Sequence, residues 1–142
     1  MKKLNIGCGA KKRDGFDGLD IQDFGQKYVG DIFKFMFDNP ELEFEEVYAE
    51  HFLEHFTQIE LKKMFISIWC LLKMGGSFKI IVPSKNKEES WVLTHKTFFT
   101  EYTFKAFENQ IFAGEFCEEY EWKIKELKTN SRQDIYCELI KI

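Results

Sequence analysis

Two groups of residues in this chain have the types and spacing for chemistry. The first is Gly7-Cys8-Gly9, which follows the apolar run Lys3–Ile6. A strand running into Gly-x-Gly lets backbone approach a ligand more closely than any side chain permits. Asp20, near the end of the short run Gly18-Leu19-Asp20-Ile21, is placed to accept hydrogen bonds from two ribose hydroxyls. The second group is His51-Phe52-Leu53-Glu54-His55, a literal H-x-x-E-H. On a helix, histidines at i and i+4 can share one zinc ion, with the intervening glutamate as the base of a metallopeptidase.

Each group has a plainer explanation. Most glycine pairs are merely turns. Two departures from the dinucleotide fingerprint nevertheless point toward a nucleoside cofactor without phosphate. Gly9 is followed by Ala10-Lys11-Lys12-Arg13, so the third glycine is missing. Asp20 lies 13 positions after Gly7, whereas the fingerprint places its acidic residue about 20 on. Little chain is left for a helix whose N-terminus would hold a pyrophosphate. S-adenosylmethionine makes no such demand. The zinc peptidase reading is the weaker one. Its motif follows a strand-like run, a helix cap comes only afterwards at Thr57, and the chain is short for a peptidase cleft. It also leaves the glycine turn and Asp20 unexplained.

The elements that must position these residues can be read from patterning. Strands are expected at Lys3–Ile6 and at residues 18–21, 28–31 and 44–49, the last after the turn signal Asn39-Pro40. Thr57 and Glu60 have capping-box spacing and open a helix. Its apolar face is Leu61, Met64, Phe65, Ile68 and Leu72, and Gly75-Gly76 is expected to end it. A fifth strand follows at residues 77–82, stopped by Pro83. A further helix starts near Thr100 and carries Phe104 and Phe107. Two strands, residues 120–127 and 135–142, close the chain around a polar turn. Short strands alternating with helices predict a mostly parallel α/β sandwich of seven strands, with an antiparallel hairpin at the C-terminal edge. At 142 residues, a single domain over 1–142 is expected.

The ordered landmarks resemble class I S-adenosylmethionine-dependent methyltransferases, particularly a compact bacterial group with an LNLGCG version of the first motif. They are Leu4-Asn5-Ile6-Gly7-Cys8-Gly9, Gly18-Leu19-Asp20-Ile21, Gly30-Asp31-Ile32, the stretch Val47 to His55, Leu71 to Gly76, and Ile80-Ile81-Val82-Pro83. The resemblance implies a Rossmann-like three-layer sandwich with a seven-stranded sheet, and S-adenosylmethionine as cofactor. By position, Gly7, Cys8 and Gly9 would contact the methionyl part and ribose, and Asp20 the ribose diol. Ile21 would lie against the adenine, Asp31 would take its amino group, and Ile32 would pack on the base. Glu50 and His51 would line the pocket. Asn5 stands in the first motif where an acidic residue is more usual, and it can still accept a hydrogen bond. His51 is the candidate base for the acceptor proton, although methyl transfer needs mainly in-line positioning. The short first crossover and the absence of the family's N-terminal covering helix leave the pocket open or covered by a partner subunit, as in a homodimer. A silent module that binds the cofactor or a partner without catalysis is the alternative from another class.

Composition narrows the partners. There are 20 Lys+Arg against 24 Asp+Glu, a net charge of −4, so the 16 phenylalanines are not set in the basic surface that nucleic acid requires. A small-molecule acceptor is expected, its site formed by residues 50–55 and 84–100, the latter including Trp91, His95, Lys96, Phe98 and Phe99. No run approaches the roughly 18 apolar residues of a membrane span. Met1-Lys2-Lys3-Leu4 lacks the apolar run of a secretory signal. Cys8, Cys70, Cys117 and Cys137 form no CxxC pair, so no metal ligand set is assigned and a reducing cytoplasm is expected.

Overall fold

The computed structural model of the chain describes residues 1–108 and 120–142; Cys117 lies outside them. Leu4, Asn5 and Ile6 are buried, which places β1 (Lys3–Ile6) inside the sheet with strands on both sides. The chain then steps outward through β2 (Asp17–Asp20) and β3 (Tyr28–Val29), both parallel to β1. Helix α1 (Ile32–Asp38) carries it back to β4 (Phe44–Glu50), on the other side of β1. Helix α2 (Gln58–Leu71) leads to β5 (Leu72–Pro83), parallel to β4. After α3 (Glu101–Glu108), strands β6 (Trp122–Thr129) and β7 (Asp134–Lys141) form the antiparallel hairpin. Strand β7 inserts beside β5, giving the order β3-β2-β1-β4-β5-β7-β6. Strand order reverses at β1 and β4, the place where open α/β sheets bind ligands at their carboxyl ends.

Alternation along the strands gives the sheet two unlike faces. Val47, Ala49, Phe78, Ile80, Val82, Ile135, Cys137 and Leu139 face the core, together with Leu61, Met64, Phe65, Ile68 and Leu71 of α2. Each Val, Leu, Ile, Phe or Met among them contributes roughly 1.5–3 kcal/mol by leaving water. Phe65 ties the helices together, with ring contacts to Phe78 at 5.6 Å and to Phe107 of α3 at 4.7 Å. Among the described residues the α-helices all pack on this face. The other face carries charged pairs: Glu46 with Lys3 at 3.8 Å and Lys79 at 3.1 Å, and Lys125 with Glu138 at 3.3 Å. Over β1 and β4 it is covered by the loop before β2, where Arg13 lies 3.7 Å from the centre of the Tyr48 ring.

Two local expectations needed correction. Helix α1 has no sequence expectation because Ile32-Phe33-Lys34-Phe35-Met36-Phe37 is apolar nearly all round and shows no helical period. Its signal is Asp31, whose side chain caps Phe33 and Lys34. The second concerns Gly75-Gly76. The capping box of Thr57 and Glu60 is present, but α2 ends at Leu71 and the next residue already belongs to β5. Leu72 pairs with Phe44 and Ser77 with Glu46, so residues 73–76 bulge from the strand. Gly75 holds the bulge with φ of 77°, and a Cβ on Gly76 would lie 2.8 Å from the Lys73 carbonyl oxygen. No helix among the described residues is long and apolar enough to cross a membrane.

Candidate functional site

The turn after β1 is built from backbone that only glycine adopts easily. Gly7 and Gly9 have φ of 63° and 57°. The amides of Gly7 and Cys8 both donate to the Leu19 carbonyl, at 2.8 and 3.3 Å, which draws the turn over the end of β2. The Gly9 amide donates to Asp20 Oδ2 at 2.9 Å, while Oδ1 accepts from the Gln22 amide at 3.0 Å. A carboxylate has about four acceptor positions, so Asp20 can fix the loop and still meet hydroxyl donors. A Cβ at Gly7 would strike the ring of Phe52, 2.5 Å from Cγ. Cys8 packs its sulfur against Gly18, and its thiol donates to the Gly9 carbonyl at 3.3 Å. Burial, then the Asp20 charge, push the Cys8 thiol up, so it stays protonated and is no nucleophile.

Beyond the turn, a cavity of about 130 Å³ is lined by Gly7, Leu19, Asp20, Ile21, Gly30, Asp31, Ile32, Phe52 and Phe56. Asp31 reaches it with one oxygen committed, since Oδ1 accepts from Phe33 and Lys34 at 2.9 and 3.1 Å. Oδ2 remains for a donor. Ile32 is packed into the core at 3% exposure, whereas Ile21 is 72% exposed and forms an apolar wall at the rim.

On the opposite side of the turn a cleft of about 290 Å³ is lined by Asn5, Gly7, Cys8, Lys11, Lys12, Arg13, Tyr48, Glu50 and His51. The two spaces share Gly7, and Gly9 lines a third cleft that also takes in Asn5 and Cys8. The residues assigned to the cofactor pocket from sequence therefore all border the spaces around the glycine turn, whereas Glu54, His55 and residues 84–100 do not. Several lining residues had no expected role from sequence, among them Lys11, Lys12, Arg13, Tyr48, Phe52 and Phe56. Tyr48 and Glu50 are two apart on β4 and so share a face, and the tyrosine hydroxyl donates to Glu50 Oε2 at 3.0 Å. Burial, then Glu50, push the Tyr48 phenol up to about 12. His51 follows β4 in the left-handed region, φ 51°, its amide donating to the Ile81 carbonyl at 2.9 Å. A non-glycine residue held there stores backbone strain of the kind common at functional sites.

The H-x-x-E-H letters do not share a helix. His51 follows the last residue of β4, and Leu53–His55 is a single 3₁₀ turn. The i, i+4 geometry that would put His51 and His55 on one zinc ion is absent. Glu54 is 1% exposed, and burial pushes its carboxyl up to about 7. Its Oε1 lies 3.8 Å from His51 Nδ1. On the expected acceptor side, Trp91 stacks on Phe98 at 4.2 Å near the surface, while Phe99 is buried against Phe104.

No family model matches the chain, and no curated protein matches it in sequence. Solved structures do match. A SAM-dependent methyltransferase from Archaeoglobus fulgidus is similar with a TM-score of 0.68 at 16% identity, over 99% of this chain and 86% of the other. The N-methyltransferase NodS from Bradyrhizobium japonicum WM9, in complex with S-adenosyl-L-homocysteine, gives 0.66 at 11% identity, over 99% and 77%. TehB from Haemophilus influenzae gives 0.63 at 13% identity, over 99% and 57%. The chain has the class I S-adenosylmethionine-dependent methyltransferase fold.

Proposed function

We propose that this chain binds S-adenosylmethionine across the glycine turn and transfers its methyl group to a small-molecule acceptor. The observation that carries the proposal is the left-handed Gly7-Cys8-Gly9 turn, pinned by its Gly9 amide to Asp20, where strand order reverses. Nothing lies within 4 Å of where a Cβ on Gly9 would sit, so a ligand can approach the backbone closely there, while Phe52 packs against Gly7. Asp20 takes the ribose diol on its remaining lone pairs. Ile21 and Ile32 flank the adenine, and Asp31 Oδ2 accepts from its amino group. Asn5 and the three cations Lys11, Lys12 and Arg13 border the cleft suited to the methionyl carboxylate.

The cofactor supplies a methyl carbon on a positively charged sulfur, already activated for displacement. The protein has to bring an acceptor heteroatom in line with that bond and exclude water. Glu50 and His51 border the space where the acceptor arrives. In its neutral form His51 can take the acceptor proton, a contribution of roughly 10²–10⁴ in rate when a base is needed. The negative net charge favours a small acceptor over nucleic acid. A second copy of the chain would serve to cover the groove, and a reducing cytoplasm suits the thiols.

Calorimetric titration with S-adenosylmethionine and S-adenosylhomocysteine tests the binding. Binding of one equivalent, weakened at least tenfold in Asp20→Asn, is expected. Transfer of a labelled methyl group to a metabolite extract then tests turnover, and binding without transfer would make the chain a silent module. No binding at millimolar cofactor sinks the proposal.

A further inference from the structure

Forty positions separate His55 from His95 in sequence, yet the fold brings them together with Glu54. One ligand atom from each lies within 4.8 Å of the others. We infer that Glu54, His55 and His95 form a site for one divalent first-row transition-metal ion, fastening the turn after β4 to the segment after β5.

The carboxylate supplies the first argument. Glu54 is 1% exposed, and its Oε2 has no hydrogen-bond partner. Leaving a buried acceptor unmet costs about 1–3 kcal/mol, more if it is ionised. The imidazoles supply the second. His95 Nδ1 donates to the Ser90 carbonyl at 3.0 Å, which leaves Nε2 as the free lone pair. Metal-ligating histidines are held in this way. The two rings meet edge to face at 4.8 Å between centroids.

Backbone contacts hold the pieces in place without an ion. The amides of Lys96 and Thr97 both donate to the Glu54 carbonyl, at 2.7 and 3.3 Å, and the Thr97 hydroxyl donates to the Phe56 carbonyl at 2.6 Å. A tetrahedral ion with bonds of about 2.1 Å sets its ligands about 3.4 Å apart. To close that gap the exposed His55 ring turns from its backbone partners at His51 and Thr94 toward the ion. Two imidazoles and one carboxylate select zinc, cobalt or iron over magnesium or calcium. Three protein ligands leave a position for water or an acceptor oxygen; that last use rests on the methyl-transfer proposal, and ion binding does not.

The test uses the full chain, treated with chelator and without cofactor. It is titrated with Zn²⁺ by calorimetry and with Co²⁺ by visible absorption. One equivalent of each ion is expected, with cobalt bands of a tetrahedral site and no thiolate charge-transfer band. Glu54→Gln and His95→Gln should each weaken zinc at least tenfold, while Cys8→Ser leaves it unchanged. Circular dichroism confirms that each variant is folded; should Glu54→Gln fail to fold, His95→Gln decides. Absence of a stoichiometric ion, unchanged affinity in His95→Gln, or a thiolate band overturns the inference.

Discussion

Replacing Gly7 by Ala tests the turn directly, because two separate penalties arise. Gly7 has φ of 63°, and an L-residue in that region costs roughly 1–2 kcal/mol. The new methyl group would also collide with Phe52, 2.5 Å from Cγ and 2.8 Å from Cε2. Displacing a packed ring costs about 1–3 kcal/mol. Their sum, about 2–5 kcal/mol, is a large part of ordinary domain stability. Only the collision depends on Phe52. In a Gly7→Ala/Phe52→Ala double-mutant cycle by urea denaturation, the pair should be less destabilised than the sum by about 1–3 kcal/mol. The backbone strain should survive in the double variant. Additivity within about 0.5 kcal/mol would refute the placement of Phe52 over the turn.

Three further outcomes follow. Thr57→Ala removes one half of the capping box of α2 and should cost about 1 kcal/mol, read from the same denaturation midpoints. Burial raises the Tyr48 phenol to about 12, so the folded state holds that proton more tightly than the unfolded chain. Stability from this group is fully present below about pH 10 and is lost as pH climbs toward about 12; Tyr48→Phe should flatten the decline of the urea midpoint in that window. Cys70 is exposed, whereas Cys137 is buried and its thiol is pushed far up by burial and then by Glu108 and Glu138. Brief alkylation of native protein followed by peptide mapping should label Cys70 and spare Cys137; labelling of Cys137 at the same rate would contradict its packing.

What could be read from sequence was whatever local chemistry dictates. The Thr57–Glu60 box, the glycine turn and the strand runs act over a few residues, and their letters carry the signal. Helix α1 escaped because its apolar residues wrap the whole helix, leaving Asp31 as its one mark. Asp31, expected at the adenine, also caps α1 with Oδ1, a second task for the same side chain. Gly75-Gly76 misled because glycine ends helices and forms strand bulges by the same left-handed freedom. His51 and His55 looked like partners by spacing, but a strand end and a 3₁₀ turn part them. The meeting of Glu54 with His95 depends on how the segment after β5 folds back, through Lys96 and Thr97 onto Glu54. No short-range pattern encodes that return.

The charged face of the sheet has a thermodynamic consequence. Glu46, Lys3, Lys79, Glu138 and Lys125 meet water or one another on the side away from the helices. When the chain unfolds, these half-buried charged groups add polar surface, which lowers heat capacity where apolar surface raises it. The heat-capacity increment of unfolding should therefore fall below the usual 12–15 cal/mol/K per residue. The stability curve then becomes shallow, with its two denaturation temperatures moved apart. A sheet packed on one side gives up some depth of stability and gains breadth of temperature.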